Sequence, residues 1–239
     1  MRFAFTSRAG GSSSSPFDEL NLSLDVGDDA QVVERNRASV LDRIDLGAAT
    51  WLRAQHGRDV HVVDRAVTAD DAARQGDGLV TTATDQGGYG LAALSADCAL
   101  VVLADPAVGV LGCLHCGRQG LVAGVVEAVV QAMRDLGARS LRAAIGPTIC
   151  GSCYEVPPDM AAAVVALVPA AAARARSGGA GLDIRAGVLD QLSRAGVSRV
   201  RLVGGCTFED PETFSYRRDH VTGRMGALVW RASRALSTT

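Results

Sequence analysis

Short apolar runs closed by turn residues punctuate this chain. They predict strands over residues 2–6, 60–63, 79–82, 91–94, 100–104 and 108–114. The Asp105-Pro106 turn between the last two predicts a hairpin. Further strands are expected over 141–145, 200–203 and 225–230. Asp28 and Asp29 are N-cap candidates for a helix running to about residue 45, with Val32, Val33, Asn36 and Val40 on related faces. The clearest helix covers 121–136. Glu127, Gln131, Arg134 and Asp135 share one stripe, the rest is Val, Ala, Leu and Met, and Gly137 suits its C-terminus. Helices over 158–173 and 183–195 follow, and 174–181 between them is expected to be a mobile polar loop. Strands and helices mix without strict alternation, which favours a mixed sheet over a doubly wound parallel one. The stretch 10–16 has linker composition but lies too near the N-terminus to divide the chain. The expectation is one α+β domain over 1–239, with mixed β-sheets and no internal repeat.

Composition narrows the classes. At 239 residues, 48% apolar and 21% charged, the chain has ample core for a soluble enzyme. Aromatics are only 4%, so Val, Leu and Ala must build that core. Every basic residue is Arg, and a chain without Lys can perform neither Schiff-base nor P-loop lysine chemistry. A net charge of -2 with no basic block leaves no electrostatic footprint for nucleic acid. The N-terminus turns polar too soon for a signal peptide. The longest apolar run, 160–173, is too short to span a membrane and is interrupted by Pro169. A cytoplasmic location is expected, with no membrane partner. The six cysteines then serve as thiols or ligands rather than a disulfide framework.

Three segments carry candidate chemistry: Gln55-His56-Gly57, Ser95-Ala96-Asp97-Cys98 and His115-Cys116-Gly117. Each ends a strand-like stretch and opens a turn, where side chains escape the core. His, Cys and His make a ligand set for a catalytic zinc ion, with the fourth position open. Their separations follow no rule, so only the fold could unite them. Taken singly, each reads first as an inert buried thiol or a hydrogen-bonded imidazole. His61 and His220 are expected to be structural. A competing four-cysteine site would join Cys113/Cys116 to Cys150/Cys153. Their separation exceeds the roughly 15–20 residues usual for a zinc ribbon, and positions three apart on a strand face opposite sides. Neither pair has the strand-to-helix setting of a thioredoxin-like redox motif.

The ordered strings extend along nearly the whole chain. They begin Phe5-Thr6-Ser7-Arg8-x-Gly10-Gly11-Ser12, Leu20-Asn21-Leu22, Val26-Gly27-Asp28-Asp29 and Asn36-Arg37. They continue through His56-Gly57, Ser95-Ala96-Asp97-Cys98, Ala104-Asp105-Pro106, His115-x-Gly117, Ile145-Gly146-Pro147 and Tyr154-Glu155-Val156. They close with Phe214-Ser215-Tyr216-Arg217-Arg218-Asp219-x-x-Thr222-Gly223-Arg224. This set resembles the YfiH/YlmD family, long called laccase-domain or polyphenol oxidoreductase proteins. The activity later described for them is that of purine nucleoside phosphorylases with adenosine deaminase activity. The resemblance implies a single α/β/β/α sandwich domain. It implies His56, Cys98 and His115 as metal ligands, with Zn2+ usual and Cu2+ possible. The implied partners are purine nucleosides and phosphate, met by a monomer or homodimer. A true laccase needs several imidazole-rich copper centres, and four histidines cannot furnish them. Only a weak copper-dependent polyphenol oxidation would remain.

For deamination, a bound Zn2+ lowers the pKa of its water toward 7 for attack on C6 of adenine. A carboxylate that is not a ligand usually moves the proton. Asp97 beside Cys98 is the catalytic candidate, though it could equally cap a turn. The familiar His-x-Glu and Pro-Cys-x-x-Cys deaminase signature is absent. Phosphorolysis needs a positioned anion, which arginine holds bidentately. Arg8, Arg37, Arg118, Arg217 and Arg218 are candidates, each also readable as a solvated surface charge. One departure stands out. The family has His-Ala-Gly-Trp-Arg-Gly where this chain has His115-Cys116-Gly117-Arg118-Gln119-Gly120. On an extended segment, the displaced charge would point to the other side, and phosphate use should weaken relative to deamination. Two alternatives stay open: a cysteine hydrolase with Cys98 as nucleophile, and a non-catalytic factor of the kind linked to peptidoglycan editing.

Overall fold

A computed structural model describes residues 2–63, 73–82 and 88–231. In chain order the strands are β1 (Arg2–Phe5), β2 (Ala48–Ala54), β3 (Val60–Val62), β4 (Ala73–Gly76), β5 (Gly78–Thr81), β6 (Tyr89–Ser95), β7 (Ala99–Asp105), β8 (Val110–Cys116), β9 (Arg142–Ile145), β10 (Ala172–Arg174), β11 (Ala180–Leu182), β12 (Arg199–Leu202) and β13 (Met225–Trp230). The helices are α1 (Ala30–Arg43), α2 (Arg118–Ala123), α3 (Val125–Asp135), α4 (Pro158–Leu167), α5 (Ile184–Arg194) and α6 (Tyr216–Asp219).

The strands form two large mixed sheets, ordered β1-β13-β6-β2-β4 and β12-β9-β7-β8-β5-β3, and a small hairpin of β10 and β11. β7 and β8 are buried along their whole length, which is why they read as continuous apolar runs rather than alternating ones. Their side chains still alternate between two cores. Val102 and Ala104 join Leu91, Ala93, Ala227 and Val229 between the sheets. Val101 and Leu103 face the other way, onto Val126, Val129, Met133, Val188 and Leu192 of α3 and α5. On the far side, Trp51, Ala92, Leu228 and Trp230 pack under Val40 of α1 with Leu20 and Leu22. The layers are therefore α/β/β/α, as the resemblance implies. Leu103 is fully buried, and truncating such a side chain to Ala costs about 2–5 kcal/mol.

Local chemistry explains the element ends. Asp29 caps α1 by accepting from the Gln31 and Val32 amides, whereas Asp28 instead bonds Ser13 and Asn21. The 105–110 hairpin is present, with Asp105 paired to Val110. Three expectations are corrected, and two strands are added. The helix expected over 121–136 begins at Arg118 and breaks at Gly124, whose φ of 82° interrupts α-helical geometry. The helix expected to reach 173 stops at Leu167, because Val168 precedes Pro169 and is held out of the α region. The loop over 174–181 contains the turn of the β10–β11 hairpin, closed by the Ala175 amide on Gly179. β2 and β4 were not anticipated, since Ala-Ala-Thr-Trp-Leu-Arg-Ala and Ala-Arg-Gln-Gly carry little strand signal. No helix among the described residues is long and apolar enough to cross a membrane.

Candidate active site

The topology itself brings His56, Cys98 and His115 together. β7 and β8 are antiparallel, with Ala99 opposite Cys116, so Cys98 before one strand meets His115 near the end of the other. β2 runs parallel to β6, so its C-terminal end, followed by His56, lies on the same side as Ser95. The chain then crosses from one sheet to the other through 96–98. One donor atom from each of the three residues lies within 4.8 Å of the other two. The two imidazoles meet edge to face at 4.8 Å between centroids.

Asp77, between β4 and β5, organises this set. Its Oδ1 lies 2.9 Å from His115 Nδ1 and accepts from the His56 amide at 3.0 Å, while Oδ2 accepts from the Gly57 amide at 2.6 Å. With Nδ1 so engaged, Nε2 of His115 is the nitrogen left for an ion. Burial would raise the Asp77 carboxyl, but His115 and the Gly57 and His56 amides outweigh it and hold it below its ordinary value. Burial likewise pushes the Cys98 thiol up, and the opposing pull of His115 and then His56 brings it down to about 6. Burial pushes His115 down, and the Cys98 and Asp77 charges hold it up, at about 9. The two imidazoles thus favour the thiolate of Cys98, the form that ligates or attacks.

The space around the set fits a metal ion. A Cβ built on Gly117 would sit 2.9 Å from Cys98 Sγ, 3.1 Å from His56 Cδ2 and 3.8 Å from His115 Cε1. The glycine keeps clear the volume beside the three donors. Nitrogen, sulfur and nitrogen suit zinc or copper. Backbone strain concentrates here too, with φ of 60° at His56 and 100° at Asp97.

The donors open into a cavity of about 720 Å³. Leu52, Ile149, Tyr154 and Tyr216 give it apolar and aromatic surface, and Arg53, Arg118, Arg217 and Arg224 line it. Of the five arginines singled out by sequence, Arg118 and Arg217 are therefore on the wall. Arg217 also donates to the Glu155 carbonyl and stacks over Tyr154. The other three are not among the lining residues. Arg8 pairs with Asp18, and buried Arg37 bonds the Leu22 carbonyl over Trp51. Arg218 is tied to the carbonyls of Thr207, Phe208, Asp210 and Thr213. Asp97 lines the cavity, but Thr207 Oγ1 donates to its Oδ1 at 2.6 Å and the Arg217 amide to its Oδ2 at 2.7 Å.

The 118–120 part of the 115–120 segment is not extended as expected. Gly117 is the N-cap of α2, so Arg118 and Gln119 sit on its first turn, with Arg118 toward the cavity and Gln119 exposed. The four-cysteine alternative does not assemble. Cys113 points into the inter-sheet core and Cys116 into the helical side, whereas Cys150 and Cys153 gather with Cys206 and Glu209. His220, expected to be structural, lines the cavity. Sequence reasoning passed over Asp77, Arg53 and Arg224. The available signal for Asp77 was an acid between two glycines, Gly76-Asp77-Gly78, at the mouth of an apolar run.

Comparison with known proteins gives a consistent picture. Residues 2–232 match the family described as multi-copper polyphenol oxidoreductase laccase. A Streptomyces coelicolor protein named purine nucleoside phosphorylase SCO2081 is 47% identical, covering 95% of this chain and 94% of its own length. A Streptomyces griseus protein named purine nucleoside phosphorylase ORF3 is 46% identical over 95% of this chain and 93% of its own. Among solved structures, YlmD from Geobacillus stearothermophilus superposes with a TM-score of 0.85 at 30% identity, covering 97% of this chain and 92% of that one. YfiH from Bacillus licheniformis gives 0.84 at 29% identity, with 95% and 91% covered.

Proposed function

The chain belongs to the multi-copper polyphenol oxidoreductase laccase family, and from that premise we propose that it is a metal-dependent purine nucleoside enzyme. It cleaves adenosine, inosine and 5′-methylthioadenosine with phosphate, and deaminates adenosine. The observation that carries this reading is the His56/Cys98/His115 set opening into a cavity with both aromatic and arginine-bearing walls. Relatives named purine nucleoside phosphorylase supply the substrate class.

In this proposal His56, Cys98 and His115 hold Zn2+, with Cu2+ the other candidate. A divalent ion in such a set supplies Lewis acidity. Asp77 fixes the His115 ring and the His56 turn. Tyr154, Tyr216 and Ile149 give the purine an apolar, stackable surface. Arg118 and the free edge of Arg217 receive phosphate, the bidentate role for which a guanidinium is shaped. Asp97, next to Cys98, is the carboxylate assigned to proton movement in deamination; each of its oxygens keeps a lone pair beyond the bonds from Thr207 and Arg217. Among the described residues, only one donor cluster includes histidine. A single-ion site therefore fits better than the multi-centre array of a laccase.

A second reading has one observation in its favour. Cys98, His115 and Asp77 are arranged as nucleophile, base and orienting acid, the pattern of a cysteine hydrolase. His56 has no part in such a relay, which is why the metal reading is preferred. The test is a nucleoside panel with and without phosphate, before and after chelation. Free base and sugar phosphate should form only with phosphate, adenosine should also yield inosine, and chelation should stop both. Untouched nucleosides together with chelator-insensitive amide hydrolysis would transfer the assignment to the hydrolase.

A further inference from the structure

A second cluster of ligating side chains lies apart from the His56/Cys98/His115 set. Cys150, Cys153, Cys206 and Glu209 each bring one donor atom within 4.8 Å of the others. Its halves are built alike. The Cys153 and Tyr154 amides donate to the Cys150 carbonyl at 3.0 and 2.9 Å, and the Glu209 and Asp210 amides donate to the Cys206 carbonyl at 3.2 and 3.0 Å. Each half is thus a single turn presenting donors three residues apart, the Cys-x-x-Cys type of spacing found in structural zinc sites. The fold brings the turns together because β9 and β12 are parallel neighbours, with Ile145 opposite Leu202, so both chains leave the sheet on the same side.

We propose that Cys150, Cys153, Cys206 and Glu209 form a second, structural metal site that takes Zn2+ in closed tetrahedral coordination. Three sulfurs and one carboxylate oxygen select zinc over hard cations. The Cys150 amide donates to Cys206 Sγ at 3.3 Å, joining the two halves directly. Glu209 Oε1 lies 3.6 Å from Cys153 Sγ and also accepts from Arg176, which holds the carboxylate turned toward the thiols. On metal binding the thiol protons pass to solvent, and no redox step is involved.

The site has a task that the fold makes visible. Thr207, adjacent to Cys206, bonds the Asp97 carboxylate, and the Ile149 amide, adjacent to Cys150, bonds the Asp97 carbonyl at 3.0 Å. The two turns therefore grip the residue preceding Cys98 from both sides, and Ile149 and Tyr154 from the same segment line the cavity. A zinc ion joining the turns would staple that wall in place.

The test uses the full chain carrying Cys98→Ala, which disables the first site. One equivalent of zinc should remain by elemental analysis, and added Co2+ should give a thiolate-to-cobalt charge-transfer band. Adding Cys150→Ser and Cys153→Ser should remove both. Glu209→Gln, milder for folding, should weaken zinc retention against a chelator by about tenfold or more. Three results would overturn the site: no zinc in Cys98→Ala with all three thiols freely reactive, a disulfide within the trio in freshly purified protein, or zinc retention unchanged in Glu209→Gln.

Discussion

Asp77 Oδ1 sits 2.9 Å from Nδ1 of His115, and the same carboxylate accepts the His56 and Gly57 amides. One side chain thus orients one candidate ligand and shapes the turn that carries another. Asp77→Asn would leave an acceptor for His115 and the His56 amide but place an NH2 against the Gly57 amide, which can only donate. Its zinc affinity should fall roughly 10–100-fold, read by competition with a chromogenic chelator. Unchanged affinity would mean that the turn holds its shape without this carboxylate.

Gly117→Ala separates site chemistry from folding. The backbone there has φ of -88°, open to any residue, so the substitution carries no conformational strain. The added methyl would meet Cys98 Sγ and His56 Cδ2 at 2.9 and 3.1 Å. The variant should keep a nearly wild-type Tm and lose most metal from this site. A fully loaded Gly117→Ala protein would show that the three donors hold an ion elsewhere.

Phosphate use should depend on Arg118 rather than on the arginines engaged in structure. Removing one charge-assisted contact costs about 1.5–3 kcal/mol, roughly 10–100-fold in the KM for phosphate. Arg118→Ala should show that rise, with adenosine deamination nearly unchanged. Because Gln119 is exposed on the first turn of α2, Gln119→Arg should recover little phosphate binding. Arg218→Ala, which removes a guanidinium bonded to four carbonyls, should lower the Tm instead. Steady-state kinetics and thermal melts on the three variants distinguish these effects.

What the sequence disclosed, and what it withheld, has a physical pattern. Long or strongly patterned elements such as α3, β7 and β8 were legible, because burial dictates their residues. The family resemblance and the residue types both pointed to His56, Cys98 and His115. The arginines were harder, since a guanidinium on a cavity wall and one bound to carbonyls have the same letter; Arg118 and Arg218 are separated only by the fold. The Cys150/Cys153 pair was visible, but its neighbours were not, because Cys206 and Glu209 reach it through strand pairing rather than spacing.

Asp105 makes an acid-stability prediction at the other end of β7. Its carboxylate accepts from the Arg139 and Ser140 amides, both at 2.7 Å, and from Ala107 at 3.0 Å, tying the β7–β8 turn to the start of β9. Burial opposes ionisation, but these amides outweigh it and lower the pKa. A carboxyl lowered on folding stabilises the protein above its unfolded pKa, and this contribution vanishes as pH falls through the folded value. Asp105→Asn should therefore cost about 1–3 kcal/mol at neutral pH. In urea titrations the gap from wild type should narrow below about pH 4. A gap that is constant with pH would rule out an ionised carboxylate as its source.

The most direct test of the metal-dependent reading is phosphate-dependent release of hypoxanthine from inosine, compared between the wild-type protein and His56→Ala. His56 is the donor that a metal site requires and a Cys98–His115–Asp77 relay does not. The wild-type protein should release hypoxanthine steadily and strictly with phosphate, and His56→Ala should lose at least about 100-fold, comparable to removal of a catalytic stabilising group. Release that persists undiminished in His56→Ala, or no release by metal-loaded wild-type protein, would contradict the metal-dependent reading.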